Sequence, residues 1–110
     1  MPIALPTAIA GYFTAANSHD ATAMLPCFAE DAVVIDEKRE RRGHAAIGAW
    51  EKETSEQYQP HVEPVSVQLS GEEAVVMATV SGNFAGSPVP LRFAFRLTGG
   101  LIGRLEITAP

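Results

Sequence analysis

The chain has 110 residues, of which 46% are hydrophobic and 19% charged, and it carries a formal net charge of −5. That length holds one hydrophobic core and leaves no room for a second, and the composition is that of a folded domain, not a disordered one. The acidic balance argues against nucleic acid as a partner and gives no attraction to an anionic membrane surface. The single cysteine, Cys27, cannot form an internal disulfide, so a reducing, cytoplasmic setting is expected.

In chain order, the opening Met1-Pro2-Ile3-Ala4-Leu5-Pro6 lacks a basic stretch and a long apolar run, so no secretory leader is expected there. Pro6-Thr7 opens a predicted helix in which Ile9, Tyr12, Phe13 and Ala16 recur at helical spacing and form an inward stripe. Asn17-Ser18-His19-Asp20 breaks it. Asp20 is a suitable N-cap for a second helix carrying Met24, Leu25 and Phe28. Pro26 lies inside that helix and predicts that it is short or kinked. Ala32 to Asp36 is a predicted strand, and the charged run Glu37 to Arg42 suits a solvated hairpin or loop. A third helix spans roughly Ala45 to Tyr58, with Ile47 and Trp50 on one face and Pro60 as its stop.

The second half reads as four strands, Val62 to Leu69, Ala74 to Phe84, Pro90 to Thr98 and Leu101 to Thr108, separated by short turn signals. Short turns predict an antiparallel meander. Helices first and strands afterwards make the class α+β. A curved sheet wrapped over a few helices would leave a cavity between the layers. Apolar runs such as Ala74 to Val80 have strand length and are too short to span a bilayer.

Asp36 stands out because a carboxylate closing an apolar strand needs a partner if it faces inward. A Tyr12 hydroxyl meeting it in a closed pocket would supply one, and the pair would suit proton transfer or recognition of a small apolar ligand. The alternative is that Asp36 begins the charged loop and points to water. Phe93 and Phe95 share one strand face, as do Val76, Ala78 and Val80 on the neighbouring strand. Together with Val34 they would make an apolar pocket. Met24, Phe28 and Trp50 are read as further pocket wall or core. Among the three histidines, His19 and His44 read as surface residues and His61, at a strand start, as the one placed to carry a proton. There is no clustered Cys/His spacing for a metal, no phosphate loop and no nucleophile elbow. Arg39, Arg41 and Arg42 could grip an anionic tail, but the intervening Glu37 and Glu40 favour a solvated face.

These features converge on a resemblance. An aromatic-bearing first helix, Phe28-Ala29-Glu30-Asp31-Ala32, a strand ending in Asp36, Gly43-x-x-x-Ile47-x-x-Trp50 and a terminal meander resemble the nuclear-transport-factor-2-like cone fold. More narrowly they resemble SnoaL-like polyketide cyclases and ketosteroid isomerases. The resemblance covers nearly the whole chain and implies a cone-shaped, cystatin-like α+β fold. In it, three N-terminal helices pack on a strongly curved, mostly antiparallel sheet, in a single domain over residues 1–110.

The resemblance also implies a function. Asp36 takes the position of the general base that moves a proton α to a carbonyl, and Tyr12 that of the donor to the developing enolate. A second, protonated acid of the isomerases falls on Phe95, which cannot donate, and two buttressing Tyr positions fall on Phe28 and Glu51. Loss of one such donor costs about 3–4 kcal/mol of transition-state stabilisation. The expectation is an isomerisation or aldol-type cyclisation, with no cofactor or metal, on a small apolar or carbonyl-bearing ligand. The alternative is a non-catalytic domain that binds a small apolar metabolite. A homodimer is expected, because the outer sheet face needs cover.

Overall fold

The computed structural model describes residues 4–110; Met1, Pro2 and Ile3, part of the opening segment read above for a leader, lie outside the described residues. The first helix, α1, spans Thr7–Asn17 after Pro6, whose extended ψ of 147° turns the chain into the helix. A one-turn helix, α2, spans Ala21–Met24, and the Asp20 side chain caps it by accepting from the Ala23 N–H at 3.0 Å. Pro26 lies in the Leu25–Cys27 turn of 3₁₀ helix that follows. The second helix is thus short, as Pro26 implies, and Phe28, expected on it, opens the first strand instead.

That strand, β1, spans Phe28–Asp36, and β2 spans Arg39–Arg42. The charged run is therefore a hairpin: Asp36 pairs with Arg39 across the two-residue turn Glu37-Lys38, where both residues have positive φ (53° and 64°). This is the primed-turn geometry that matches the twist of paired strands. Gly43, at φ 86°, then turns the chain into α3, His44–Tyr58. Gln59 ends α3 in the left-handed region, its N–H bonded to the Ser55 carbonyl at 3.0 Å, and Pro60 prevents continuation. The remaining strands are β3 (His61–Ser70), β4 (Glu73–Ser81), β5 (Val89–Thr98) and β6 (Leu101–Thr108). β4 stops at Ser81, earlier than expected, because Gly82 leaves the ladder to dock against α3: a Cβ there would lie 2.7 Å from the Tyr58 carbonyl oxygen.

Among the described residues, the six strands form one sheet in the order β2-β1-β6-β5-β4-β3. β3 to β6 make the expected meander of antiparallel neighbours, and β1 joins β6 in parallel. Register shifts in β1, β3 and between β5 and β6 bend the strands, so the sheet curves over the helices. The alternating burial of β4, with Ala74, Val76, Ala78 and Val80 inward, is the period-2 pattern of a sheet with one covered face. Against it, α1 delivers Ile9, Tyr12 and Phe13. The Phe13 ring meets Phe93 at 5.4 Å and Phe95 at 5.8 Å, both edge to face, a geometry that adds to the burial of area. Among the described residues no helix is long and apolar enough to cross a membrane.

Candidate functional site

The aromatic cluster fills one end of the space between helices and sheet and leaves the other end open. There a cavity of about 240 Å³ is lined by Tyr12 and Ala16 of α1, Asp36 and Glu37 at the end of β1, and Trp50, Glu51, Thr54 and Tyr58 of α3. The rest of the lining is apolar: Val62 of β3, Val80 of β4, Phe84 of the β4–β5 loop, Val89, Leu91 and Phe93 of β5, and Ile107 of β6. The ionisable lining groups thus come from α1, α3 and the end of β1, where Asp36 lies beside Ile107 in the sheet, and β3 to β6 contribute only apolar side chains. Outside Asp36 and Trp50 lies a more polar groove of about 440 Å³ that includes Arg39, Arg41, Glu53 and Glu56. Its mixed charges give it no single sign, and Arg42 pairs with Glu40 at 3.5 Å in the open, where such a pair contributes little.

Asp36 is half-buried at the last position of β1, and the buried Trp50 indole N–H donates to its Oδ2 at 3.0 Å. Trp50 thus does more than pack: it fixes how the carboxylate sits at the cavity. Tyr12 is 3% exposed, and its hydroxyl has no hydrogen-bond partner among the described residues although no fully buried polar side-chain atom there is left unpaired. The hydroxyl therefore opens to the cavity. Burial pushes its pKa well above the ordinary phenol value, and the nearby Glu51 and then Asp36 carboxyls push it in the same direction. Tyr12 accordingly keeps its proton and remains a donor.

Glu51 entered the sequence reading only as the replacement of a buttressing Tyr, not as a working group of the site. It is 5% exposed, the one charged residue that is buried among those described. Burial raises its pKa, and the Ser55 hydroxyl and the His19 ring partly offset that rise. Its Oε2 accepts from Ser55 Oγ, which in turn lies 3.1 Å from His19 Nδ1. A signal for it was present: Ile47, Trp50, Glu51, Thr54 and Tyr58 fall on one helical stripe, so an acid sits in an otherwise inward face.

Of the other sequence-derived candidates, Val80 and Phe93 join Trp50 in lining the cavity. Met24, Phe28, Val34, Val76, Ala78 and Phe95 lie in the closed core instead. The reason is volume. Tyr12 stacks edge to face on Phe28 at 5.9 Å and on Phe95 at 5.6 Å, so the deeper half of the concave face is filled by side chains. His61 is exposed and outside the lining, and His44 Nε2 bonds the Phe28 carbonyl at 2.9 Å, tying α3 to β1. Among the described residues no three His, Cys, Asp or Glu side chains are grouped as metal ligands.

A small curved-sheet fold with a one-ended cavity lined by phenol and carboxyl groups places the protein in a recognisable class. The chain belongs to the SnoaL-like domain family, whose sequence model matches residues 9–104. It is similar to a candidate polyketide cyclase of Sinorhizobium meliloti, with 39% identity over 94% of this chain and 95% of that one and a TM-score of 0.92. It is also similar to a Catenulispora acidiphila DSM 44928 protein with a ketosteroid isomerase-like fold, solved in complex with trimethylamine (21% identity, 94% and 85% of the two chains, TM-score 0.85). A third similar structure is SalBIII, an epoxide hydrolase/cyclase-like enzyme with a role in pyran ring formation in the polyether salinomycin (20% identity, 93% and 87%, TM-score 0.81). The last two likenesses are of fold alone. No curated protein sequence matches the chain.

Proposed function

We propose that the protein is a SnoaL-like enzyme that moves a proton α to a carbonyl, in an isomerisation or aldol-type cyclisation, within the single domain formed by residues 1–110. Asp36 is the base and Tyr12 the donor to the carbonyl oxygen as it gains enolate character. The observation that carries this reading is the pairing of an oriented carboxylate and an open phenol in one cavity whose β3 to β6 lining is apolar. Trp50 holds Asp36 by one oxygen and leaves the other for a C–H proton. The apolar wall of Val80, Leu91 and Phe93 suits the hydrocarbon part of a ligand, and exclusion of water there strengthens a hydrogen bond from Tyr12. The similarity to a candidate polyketide cyclase at 39% identity supports a carbonyl-bearing substrate.

The test is the conversion of a β,γ-unsaturated cyclic ketone to its conjugated isomer, followed by absorbance. Asp36→Asn is expected to lower kcat by about 10²- to 10⁴-fold, and Tyr12→Phe by about 10²- to 10³-fold. Equal turnover by Asp36→Asn and the unaltered protein would overturn the reading. One observation favours a second reading, a binding domain for an apolar metabolite: Phe95, at the position of the isomerases' second acid, is 2% exposed and packed on Tyr12. That reading expects saturable binding of the ketone without turnover in any variant.

The same account makes the protein a homodimer. Support comes from Val65 (61% exposed) and Leu69 (60% exposed), large apolar side chains on β3 at the edge of the sheet.

A further inference from the structure

A carboxyl group buried without a cation in contact is expensive to ionise, and Glu51 has none within ion-pair distance: among the described residues its one hydrogen-bond partner is Ser55. The Ser55 hydroxyl donates to Oε2. Ser55 Oγ must then accept from His19 Nδ1–H, 3.1 Å away. The two bonds run in one direction, from an exposed ring to the cavity. His19 is held in place for this by the break after α1: its own N–H bonds the Ala16 carbonyl at 3.2 Å and the following Asp20 N–H the Ala15 carbonyl at 3.0 Å, with His19 at φ 54°. The other carboxyl oxygen, Oε1, has no partner among the described residues, and Glu51 lines the cavity beside Tyr12.

We propose that Glu51, presented from α3, is the second hydrogen-bond donor to a ligand oxygen in this cavity, and that Ser55 and His19 connect its carboxyl group to solvent. The inference rests on the cavity taking a carbonyl or enol oxygen, as proposed above. Because Ser55 donates to Oε2, the acid proton resides on Oε1 and points to the ligand. When the ligand oxygen takes that proton, the Oε1–H bond breaks and the ligand O–H bond forms. Ser55 passes its hydroxyl proton to Oε2 while taking one from His19 Nδ1, solvent protonates the exposed ring at Nε2, and rotation of the carboxyl and hydroxyl groups with proton exchange at the ring restores the starting arrangement. One proton moves from solvent to ligand, and no atom changes oxidation state. The ionisable groups around Glu51 are Tyr12 from α1, Asp36 and Glu37 at the end of β1, Tyr58 on its own helix and His19 from the break after α1; β3 to β6 contribute only apolar lining. Burial accordingly raises the pKa of Glu51, and Ser55 and His19 act against that rise.

The test combines a carbon-detected NMR titration of Glu51 with binding of 4-nitrophenol, whose absorbance reports its own protonation state. Glu51 is expected to titrate above the ordinary Glu value of about 4.3 and to shift when 4-nitrophenol is added. Ser55→Ala and His19→Ala are each expected to move the midpoint higher, since each removes an interaction that favours the carboxylate. Glu51→Leu, which keeps volume but cannot donate, is expected to weaken 4-nitrophenol binding by about tenfold or more. Glu51→Gln, which still donates, is expected to bind within about threefold of the unaltered protein but to lose the Glu51 step in the pH profile. Binding that survives Glu51→Leu yet falls in Tyr12→Phe would overturn this inference alone. No binding by the unaltered protein would overturn both it and the reading it rests on. A Glu51 midpoint indifferent to both Ser55→Ala and His19→Ala would overturn the link to solvent.

Discussion

Three side chains set the chemistry of the cavity, and each is fixed by a different neighbour. Asp36 is oriented by the Trp50 indole, Glu51 by the Ser55 hydroxyl, and the Tyr12 ring by Phe13, Phe28 and Phe95 packed around it. Burial is what keeps Tyr12 protonated, so the low dielectric that would penalise an ion sustains a donor instead. The same physics gives Glu51 a signature in stability. Its folded-state pKa is raised, so the folded state holds the proton more tightly than the unfolded chain does. That contribution is fully present below the ordinary Glu value of about 4.3 and is lost as pH rises through the elevated folded value. Glu51→Gln removes the titration. Denaturant unfolding of both proteins across this range should show the variant gaining relative to the unaltered protein as pH rises; a pH-independent gap would contradict the assignment. Tyr12 and Asp36 were legible in the sequence because an aromatic in an inward stripe and an acid ending an apolar strand each break a local pattern. Glu51 was harder to read because the mixed composition of α3 hides one inward acid among the outward-facing Lys52, Glu53 and Glu56.

At the scale of elements, the site depends on how α1 and α3 are pinned to the sheet. Asn17, at the end of α1, donates from Nδ2 to the Val62 carbonyl at 2.9 Å and accepts from the Val62 N–H at 2.7 Å. A single amide side chain thus stands in for a missing strand at the start of β3 and holds α1 over the cavity. Asn17→Ala leaves both backbone groups of a buried residue unpaired and is expected to cost about 2–3 kcal/mol by denaturant unfolding. Asn17→Asp keeps the acceptor but not the donor and should fall between. Equal stability of Asn17→Ala and the unaltered protein would contradict the clamp. At the far end of α3, Gly82 lets the β4–β5 loop approach the helix terminus, where the Asn83 N–H bonds the Tyr58 carbonyl at 2.7 Å and Phe84 meets the Tyr58 ring at 6.0 Å. The periodicity of β3 to β6 and the capping residues of the helices are local signals, and both are legible in the chain. The clamp and the loop docking are not, because each joins residues far apart in sequence. The placement of Phe28 fails for a related reason: its spacing from Met24 fits a helix, but Pro26 had already turned the chain toward the sheet.

At the scale of the whole molecule, β3 to β6 give the cavity only hydrocarbon while α1, α3 and the end of β1 give it every ionisable group, an arrangement that follows from the α+β order of the chain. The strands present alternate residues to one face, and those residues are Val, Leu, Phe and Ile; the helices and the end of β1 bring the polar groups. This division was implicit in the apolar meander. The extent of the cavity was not, because it depends on how much aromatic volume α1 inserts between Phe28 and Phe95. The edge strand β3 leaves Val65 and Leu69 outside, and sedimentation equilibrium should give twice the chain mass. Leu69→Lys with Val65→Lys should reduce that to one chain. A monomer in the unaltered protein would remove dimerisation from the account.

The most direct measurement of the central claim is a crystal structure of the protein soaked with a cyclic enone. The account expects the carbonyl oxygen about 2.6–3.2 Å from the Tyr12 hydroxyl, the ring against Val80, Leu91 and Phe93, and the α-carbon facing Asp36. A ligand lodged in the outer groove by Arg39 and Arg41, or bound with its carbonyl turned away from Tyr12, would contradict it.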